Sequence, residues 1–193
     1  PGPDKIHPRV LNGTANSLSL PLSIIFNTSL KTKTLPDEWS HANISAVFKK
    51  GKKTLPQNYR PVSLTCIACK IMESIIRDTM IDHLTKNNLF SPYQFGFITG
   101  RSNILQLLHV LKLWTDIIDQ GGSLDAIYCD FMKAFDKVPH RRLAYKVSKY
   151  GIKGNILSWI EAFLSGRTQC VNVNGNFSPS STVTVSYTQR TPS

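Results

Sequence analysis

Apolar residues recur at the spacing of an α-helix in five segments of the chain, and this pattern constrains its fold more than any other feature. The segments predict helices over 17–33, 66–86, 103–120, 141–150 and 154–164. The third helix is predicted to end at a Gly-Gly pair, because glycine readily adopts the left-handed conformation of a helix cap. Short strands are predicted over 44–48 and 124–131. Several helices with few strands indicate an α+β fold rather than strict alternation of strand and helix.

The charge balance favours a polyanionic partner. The 193 residues include 23 Lys and Arg against 12 Asp and Glu, which gives a formal net charge of +11 and a pI near 9.7. Neutralising phosphates with such side chains releases counterions and steers association with nucleic acid. A solvated basic surface on a larger protein explains the same composition, so charge alone leaves both interpretations open.

The cysteines and the hydropathy pattern exclude other classes of protein. Cys66 and Cys69 form a C-x-x-C pair, but no second pair follows to complete a zinc site, and their apolar neighbours predict burial in a core. The sequence has no opening signal peptide and no apolar stretch of the roughly 18 residues that a membrane span needs. We therefore expect an intracellular protein, nuclear or cytoplasmic and not secreted, with no membrane partner.

The stretch YCDFMKAFDKVPH (128–140) contains the main candidate for chemistry. Asp130 stands at the end of the strand predicted over 124–131, where a carboxylate is placed to bind Mg²⁺ at a sheet edge. Asp136 is a weaker candidate, because a helical turn between the two acids separates them around the axis. Taken alone, Asp130 is better explained as the polar end of an ordinary strand.

Several other strings occur together with this one, in a fixed order. They are GPDKI (2–6), LPDEW (35–39), AVFKKGKK (46–53), NYRPVSL (58–64), QFGF (94–97), GRS (100–102) and DFMKAFDKVPH (130–140). Together they resemble the reverse transcriptases of non-LTR retrotransposons, the LINE type and in particular jockey- and CR1-like elements. The resemblance implies a reverse transcriptase-like right-hand polymerase over 1–176, with the fingers and the first part of the palm, truncated before the second half of the palm. Residues 177–193 are expected to be a divergent tail, disordered or read in a shifted frame.

The resemblance also implies RNA-directed DNA polymerisation with Mg²⁺, and roles for particular residues in it. Asp130 matches the first metal-binding catalytic aspartate of the family. Phe131 follows it and is expected to help bind the dNTP, with its backbone carbonyl near the second metal. Phe135 matches the aromatic gate that crowds the sugar 2′ position and so favours dNTPs. Lys49 and Arg60 match residues that contact the triphosphate of the incoming nucleotide, where a guanidinium pairs well with phosphate oxygens.

Contacts with the RNA template and the DNA primer are implied as well. The matching residues are Gln94, Phe95, Gly96 and Arg101, where the fingers approach the template, and Lys50, Lys52 and Lys53 of a basic loop. For the three lysines, a solvated basic loop explains the sequence equally well. Other segments of the same element's polyprotein are further expected partners.

The motifs that would supply two more metal-binding aspartates are not found in the sequence. After Asp136 the only acid is Glu161, in an amphipathic helical segment. One aspartate does not hold two Mg²⁺ ions against phosphate charge, so we expect the chain by itself to be inactive. A non-catalytic RNA- or DNA-binding remnant and an unfolded product of a decayed element are the alternatives.

Overall fold

A computed structural model describes residues 2–131, 134–135 and 137–183 of the chain. The chain forms two compact units, one of Pro1–Ile81 with Lys133–Ser193 and the other of Asp82–Met132. Its helices, in chain order, are α1 (Pro8–Gly13), α2 (Ala15–Thr32), α3 (Ile67–Lys86), α4 (Asn103–Asp119), α5 (His140–Lys149) and α6 (Gly154–Leu164). The strands are β1 (His41–Phe48), β2 (Tyr59–Leu64), β3 (Thr168–Val173), β4 (Asn176–Phe177) and β5 (Ser181–Thr182). All five predicted helices are confirmed to within two residues at each end.

The five strands form one sheet in the first unit, with the order β2-β1-β3-β4 and with β5 also paired to β3. Strand β1 runs antiparallel to β2 and parallel to β3. A tight turn joins β3 to β4, with Asn174 and Gly175 at φ 52° and 84°. Two consecutive left-handed residues are typical of hairpin turns, and an Asn-Gly pair adopts this geometry readily. The strand predicted over 44–48 is confirmed, and β1 extends it back to His41.

The C-terminal part that was predicted as a divergent tail begins inside this sheet. Phe177 pairs with Asn172, and β5 pairs antiparallel with the start of β3. Residues 184–193 lie outside the described residues, so a boundary at 176 stays a prediction.

The hydrophobic core of the first unit lies between α2, α3 and α6. Its centre is Trp159 of α6, which is 2% exposed and stacks on Phe163 with 5.1 Å between ring centroids. Phe26 of α2 meets the ring of Trp39 edge-on at 5.9 Å. Cys69 is fully buried among these side chains, and the other buried members are Cys66, Met72, Ile76 and Leu164. The predicted core position of the C-x-x-C pair is therefore confirmed.

Helix α4 dominates the second unit. The Ser102 hydroxyl caps its N-terminus by accepting a hydrogen bond from the backbone N–H of Leu105 at 3.2 Å. At the other end, Gly121 takes a left-handed φ of 76°, which confirms the predicted glycine cap. Among the described residues, those of α4 are all at least partly exposed, including Ile104 and Leu107 at 70%.

The strand predicted over 124–131 is wrong. The segment has no regular secondary structure, and its apolar side chains are exposed, with Ile127 at 87%, Tyr128 at 85% and Phe131 at 82%. An alternating pattern forms a strand only where a neighbouring strand completes the hydrogen-bond ladder. The described residues of the second unit offer no such neighbour.

No helix in the part of the chain that the structure describes combines the length and the apolar character needed to cross a membrane.

Candidate nucleotide and nucleic-acid site

The antiparallel ribbon of β1 and β2 positions two of the predicted triphosphate contacts. Its register pairs Val47 with Arg60, so these two side chains share a face. The backbone N–H of Lys49 donates to the carbonyl oxygen of Asn58 at 2.8 Å, which continues the pairing one step beyond β1. Lys49 is therefore the diagonal neighbour of Arg60 on the same face, and both side chains are exposed.

The opposite face of the ribbon is aromatic. Phe48 and Tyr59 face each other across the two strands, with ring centroids 5.5 Å apart. The Nζ of Lys53 lies 5.7 Å from the centroid of the Phe48 ring, and the Tyr59 hydroxyl donates to the Lys53 carbonyl oxygen at 2.8 Å. This face borders a cleft of about 920 Å³, which is also lined by residues 171–174. Lys53 thus lies apart from the face that carries Lys49.

The basic loop between the two strands is held closed by Asn58. The side-chain amide Nδ2 of Asn58 donates to the carbonyl oxygen of Lys52 at 2.8 Å. Gly51, at φ 92°, packs so closely against this amide that a Cβ would lie 2.6 Å from Nδ2. Lys50 and Lys52 remain exposed on the closed loop. Asn58 begins the NYRPVSL string, but its role in closing this loop was not predicted from the sequence.

The predicted template contacts of the second unit are linked to one another within one loop. Nη1 of Arg101 donates to the backbone carbonyl oxygens of Ser91, Pro92 and Gln94. The Arg101 guanidinium also lies 5.7 Å from the centroid of the Phe95 ring. The Nη1 group of Arg101 therefore helps to fix the backbone of residues 91–101.

Gln94 and Phe95 make two further contacts in this region, one through a side-chain amide and one through an aromatic ring. The Nε2 of Gln94 donates to the carbonyl oxygen of Gly96 at 3.3 Å. The ring of Phe95 lies 5.9 Å from that of His109, an α4 residue that the sequence analysis did not single out. Tyr93, 74% exposed, lies 6.5 Å from the same imidazole. An apolar helical pattern gave no signal for His109, because its partners come from a loop.

The predicted catalytic residues lie in exposed, irregular segments. Asp130 and Phe131 belong to the second unit, and both are exposed. Phe135 belongs to the first unit with Lys49 and Arg60, and its side chain is 56% exposed. Asp136 lies outside the described residues.

The described residues do not fit a two-metal centre. Among them, no group of three or more His, Cys, Asp or Glu side chains is close enough to hold a metal ion. Mg²⁺ needs several oxygen ligands in near-octahedral geometry, and the exposed carboxylate of Asp130 supplies one residue toward that set. The predicted Mg²⁺ site is therefore not assembled by the described part of the chain.

A titratable cluster lies near the core of the first unit. The thiol of Cys69 donates to Oε1 of Glu73 at 3.4 Å, and Nη1 of Arg167 donates to the Phe163 carbonyl oxygen at 3.2 Å. Burial raises the pKa of the Glu73 carboxyl, and the opposing attraction of Arg167 does not cancel this effect. Burial likewise raises the pKa of the Cys69 thiol, which therefore stays protonated and is a packing group rather than a nucleophile.

Comparison with known proteins adds independent information. Residues 48–188 match the family described as reverse transcriptase (RNA-dependent DNA polymerase). The chain is 29% identical over 185 residues to a probable RNA-directed DNA polymerase from transposon BS of Drosophila melanogaster, covering 92% of this chain and 20% of that protein. It is 28% identical over 176 residues to the RNA-directed DNA polymerase from mobile element jockey of the same species, covering 91% and 19%. The chain thus spans about a fifth of the length of these curated relatives.

Proposed function

Because this chain belongs to the reverse transcriptase (RNA-dependent DNA polymerase) family, we propose that it serves RNA-directed DNA synthesis as part of a non-LTR retrotransposon polymerase. Its task in this proposal is to bind the triphosphate of an incoming dNTP beside an RNA template and a DNA primer. Similarity to RNA-directed DNA polymerases of transposons over 91–92% of the chain supports the proposal.

The shared face of Lys49 and Arg60 is the observation that carries this function. A guanidinium offers a planar fork of donors to phosphate oxygens, and an ammonium on the same face adds a point charge. No Asp or Glu occurs between residues 39 and 72, so the sequence around the ribbon contains no carboxylate to neutralise these cations. Such a face attracts a triphosphate more strongly than an apolar or mixed surface does.

Asp130 enters the proposal as one metal ligand and Phe135 as the side chain that crowds the sugar 2′ position. Mg²⁺ is the cation whose preference for oxygen suits Asp130, and carboxylates of another polypeptide segment have to complete its shell, because Asp136 is the one acid of this sequence outside the described residues. We therefore expect the purified chain alone not to extend a DNA primer on an RNA template. If the purified native chain extends the primer and the Asp130→Asn variant does not, this expectation is contradicted.

The two faces of the ribbon provide a matched test of triphosphate binding. Anisotropy of a fluorescent dATP analogue, titrated with the full chain, measures the affinity. Lys49→Gln and Arg60→Gln are expected to weaken it by about tenfold each, the size of one charge-assisted hydrogen bond. Lys53→Gln removes the same charge from the opposite face and is expected to change it little. An equal loss in Lys53→Gln and Lys49→Gln would sink the proposal.

A second function is a non-catalytic nucleic-acid-binding remnant, favoured by the unassembled metal site and by the exposed Lys50 and Lys52. This function predicts RNA binding that weakens steeply with salt and is insensitive to added dNTP. The polymerase function instead predicts that Lys49→Gln lowers triphosphate affinity more than RNA affinity. Measuring both affinities on one variant separates the two.

A further inference from the structure

Helix α5 carries a basic face that none of the roles above uses. Its buried residues are Ala144 and Val147, and the helix contacts α6. At 100° per residue, Arg142, Tyr145 and Lys149 lie along the opposite side of the helix. Arg141 and Lys146 flank them, and all five side chains are exposed. We refer to these five residues as the α5 basic face.

The charge of this face is not neutralised by its surroundings. No Asp or Glu occurs between residues 137 and 160, and the ion pair recorded among the described residues joins Arg77 to Asp78. The Nζ of Lys149 lies 5.2 Å from the centroid of the Tyr145 ring, and that of Lys146 lies 5.8 Å from that of Tyr150. Cation–π contacts of this kind restrain a lysine side chain and leave its positive charge in place.

The geometry of the face fits a chain of phosphates. Arg142 and Lys149 are two helical turns apart, which corresponds to about 10 Å along the axis. Successive phosphates of one nucleic-acid strand advance by about 3.4 Å along a duplex axis, so the face spans about three nucleotides. The arginine contributes a fork that pairs two oxygens of one phosphate, and the lysines contribute point charges beside it.

An anionic membrane is a poorer match for the same charges. A helix that lies in a lipid interface inserts an apolar face among the acyl chains. The apolar side of α5 is already occupied, because Ala144 and Val147 are buried within the protein. A hydrophilic polyanion needs no such face.

We propose that the α5 basic face binds the phosphodiester backbone of RNA or DNA, as a contact separate from the fingers residues and from nucleotide binding. The proposal goes beyond polymerisation, because electrostatic binding of a backbone requires neither a metal ion nor a dNTP. Both single-stranded RNA and an RNA–DNA hybrid present this chemistry, and the two are told apart by their dependence on salt.

The test compares two variants of the full chain that lose equal charge. Arg142→Gln/Lys146→Gln/Lys149→Gln removes three cations from the face, and Arg9→Gln/Lys31→Gln/Lys33→Gln removes three exposed cations elsewhere, each lowering the net charge from +11 to +8. Fluorescence anisotropy with labelled RNA and with labelled hybrid, without Mg²⁺ or dNTP, gives the affinity over a NaCl series.

For the face variant we expect binding at least about tenfold weaker at low salt, and a slope of log K against log salt that is smaller by about 2–3. The reduction is expected to be about 0.7 per lost contact for single strands and about 0.9 for duplexes. The control variant is expected to keep the original slope. The charge-conserving Arg142→Lys/Lys146→Arg/Lys149→Arg variant is expected to retain binding, which separates lost charge from lost folding.

Two results would overturn the proposal. An equal loss in the control variant would mean that net charge, rather than this face, governs affinity. Binding to phosphatidylserine vesicles that the face variant loses and that RNA does not displace would assign the face to a membrane surface.

Discussion

The indole Nε1 of Trp159 donates a hydrogen bond to the Oγ of Ser29 across 3.0 Å, inside the core. The same hydroxyl donates to the carbonyl oxygen of Thr34 at 2.6 Å. One serine therefore joins α2, α6 and the turn that follows α2. Both partners are nearly inaccessible to solvent, Trp159 at 2% and Ser29 at 4% exposure, so water cannot replace either bond.

The Ser29→Ala variant is expected to lower the free energy of unfolding by about 1–3 kcal/mol. The substitution leaves the indole N–H buried without an acceptor, and that desolvation is the larger part of the loss. Denaturant unfolding followed by Trp fluorescence measures the change. Ser19→Ala, at an exposed position of the same helix, is the control and is expected to change stability by less than about 0.5 kcal/mol. Equal effects in both variants would contradict the prediction.

The Glu73 carboxyl is expected to lower the free energy of unfolding as the pH rises from acid to neutral. Burial raises its pKa above the ordinary 4.5, so the folded state favours the neutral form. The stability that this group contributes is fully present below the unfolded-state pKa and is lost as pH rises through the folded-state pKa. Glu73→Gln keeps an acceptor for Cys69 and stays neutral, so the variant is expected to be more stable than the native chain at neutral pH.

Thermal melts of both chains at about pH 4 and about pH 7 test this sign. The advantage of the Gln variant is expected to shrink toward the acid end. Glu161→Gln, at an exposed position of α6, serves as the control and is expected to give no such trend. A native chain that gains stability over the Gln variant as pH rises would show that Arg167 compensates the buried carboxylate after all.

The Arg101→Lys variant is expected to loosen the loop of residues 91–101 although the charge is unchanged. All three hydrogen bonds to backbone carbonyl oxygens come from Nη1 at the tip of the guanidinium, and the shorter lysine side chain does not carry its ammonium to that position. We expect amide hydrogen exchange in this loop to be at least about fivefold faster, because a local opening costs less free energy. Arg77→Lys, in the exposed pair with Asp78, is the control and is expected to leave the loop unchanged.

The Arg101→Lys variant also shows whether Arg101 positions the loop or contacts the template directly. If Arg101 acts by holding the loop, Arg101→Lys loses RNA affinity to the same extent as Arg101→Gln. Affinity retained by Lys and lost by Gln would mean that its charge meets the phosphate backbone.

The Gly2→Ala variant is expected to destabilise the first unit by about 1–3 kcal/mol, the usual range for overpacking. A Cβ at Gly2 would lie 2.4 Å from the backbone carbonyl oxygen of Thr65, which cannot move as a side chain would. Gly13→Ala is the matched control, because no atom lies within 4 Å of its Cβ position. The control is expected to be neutral or slightly stabilising, since alanine favours the helix. Equal melting temperatures for both variants would contradict the prediction.

Local patterns were sufficient to predict the five longer helices, but they missed α1 and β2 and indicated a strand over 124–131 that the structure does not contain. The helices of this chain satisfy their backbone hydrogen bonds internally, so the apolar spacing over 66–86 or 154–164 indicates the element by itself. A strand depends on partners elsewhere in the chain. The alternating pattern over 124–131 therefore resembled a strand, whereas the structure has an exposed, irregular segment there.

In the candidate site as well, some features could be predicted from the sequence and others could not. The motifs indicated Lys49 and Arg60, and the strand register gives the reason why they belong together. The motifs also indicated Arg101, but a sequence pattern does not reveal that its guanidinium is engaged by carbonyl groups of its own loop. The basic face of α5 was not identified, because its five exposed residues become one surface only after Ala144 and Val147 define the buried side.

The parallel pairing of β1 with β3 joins His41 to Thr168, residues that are 127 positions apart in the chain. A ribosome adds about 5–20 residues per second, so during synthesis β1 waits about 6–25 s for this neighbour. Strand β2 follows β1 closely and covers one edge early, while the other edge keeps unpaired N–H and C=O groups. The segment Asp82–Met132 is synthesised within that interval. The period before Thr168 emerges is therefore when the nascent chain is most exposed to edge-to-edge aggregation.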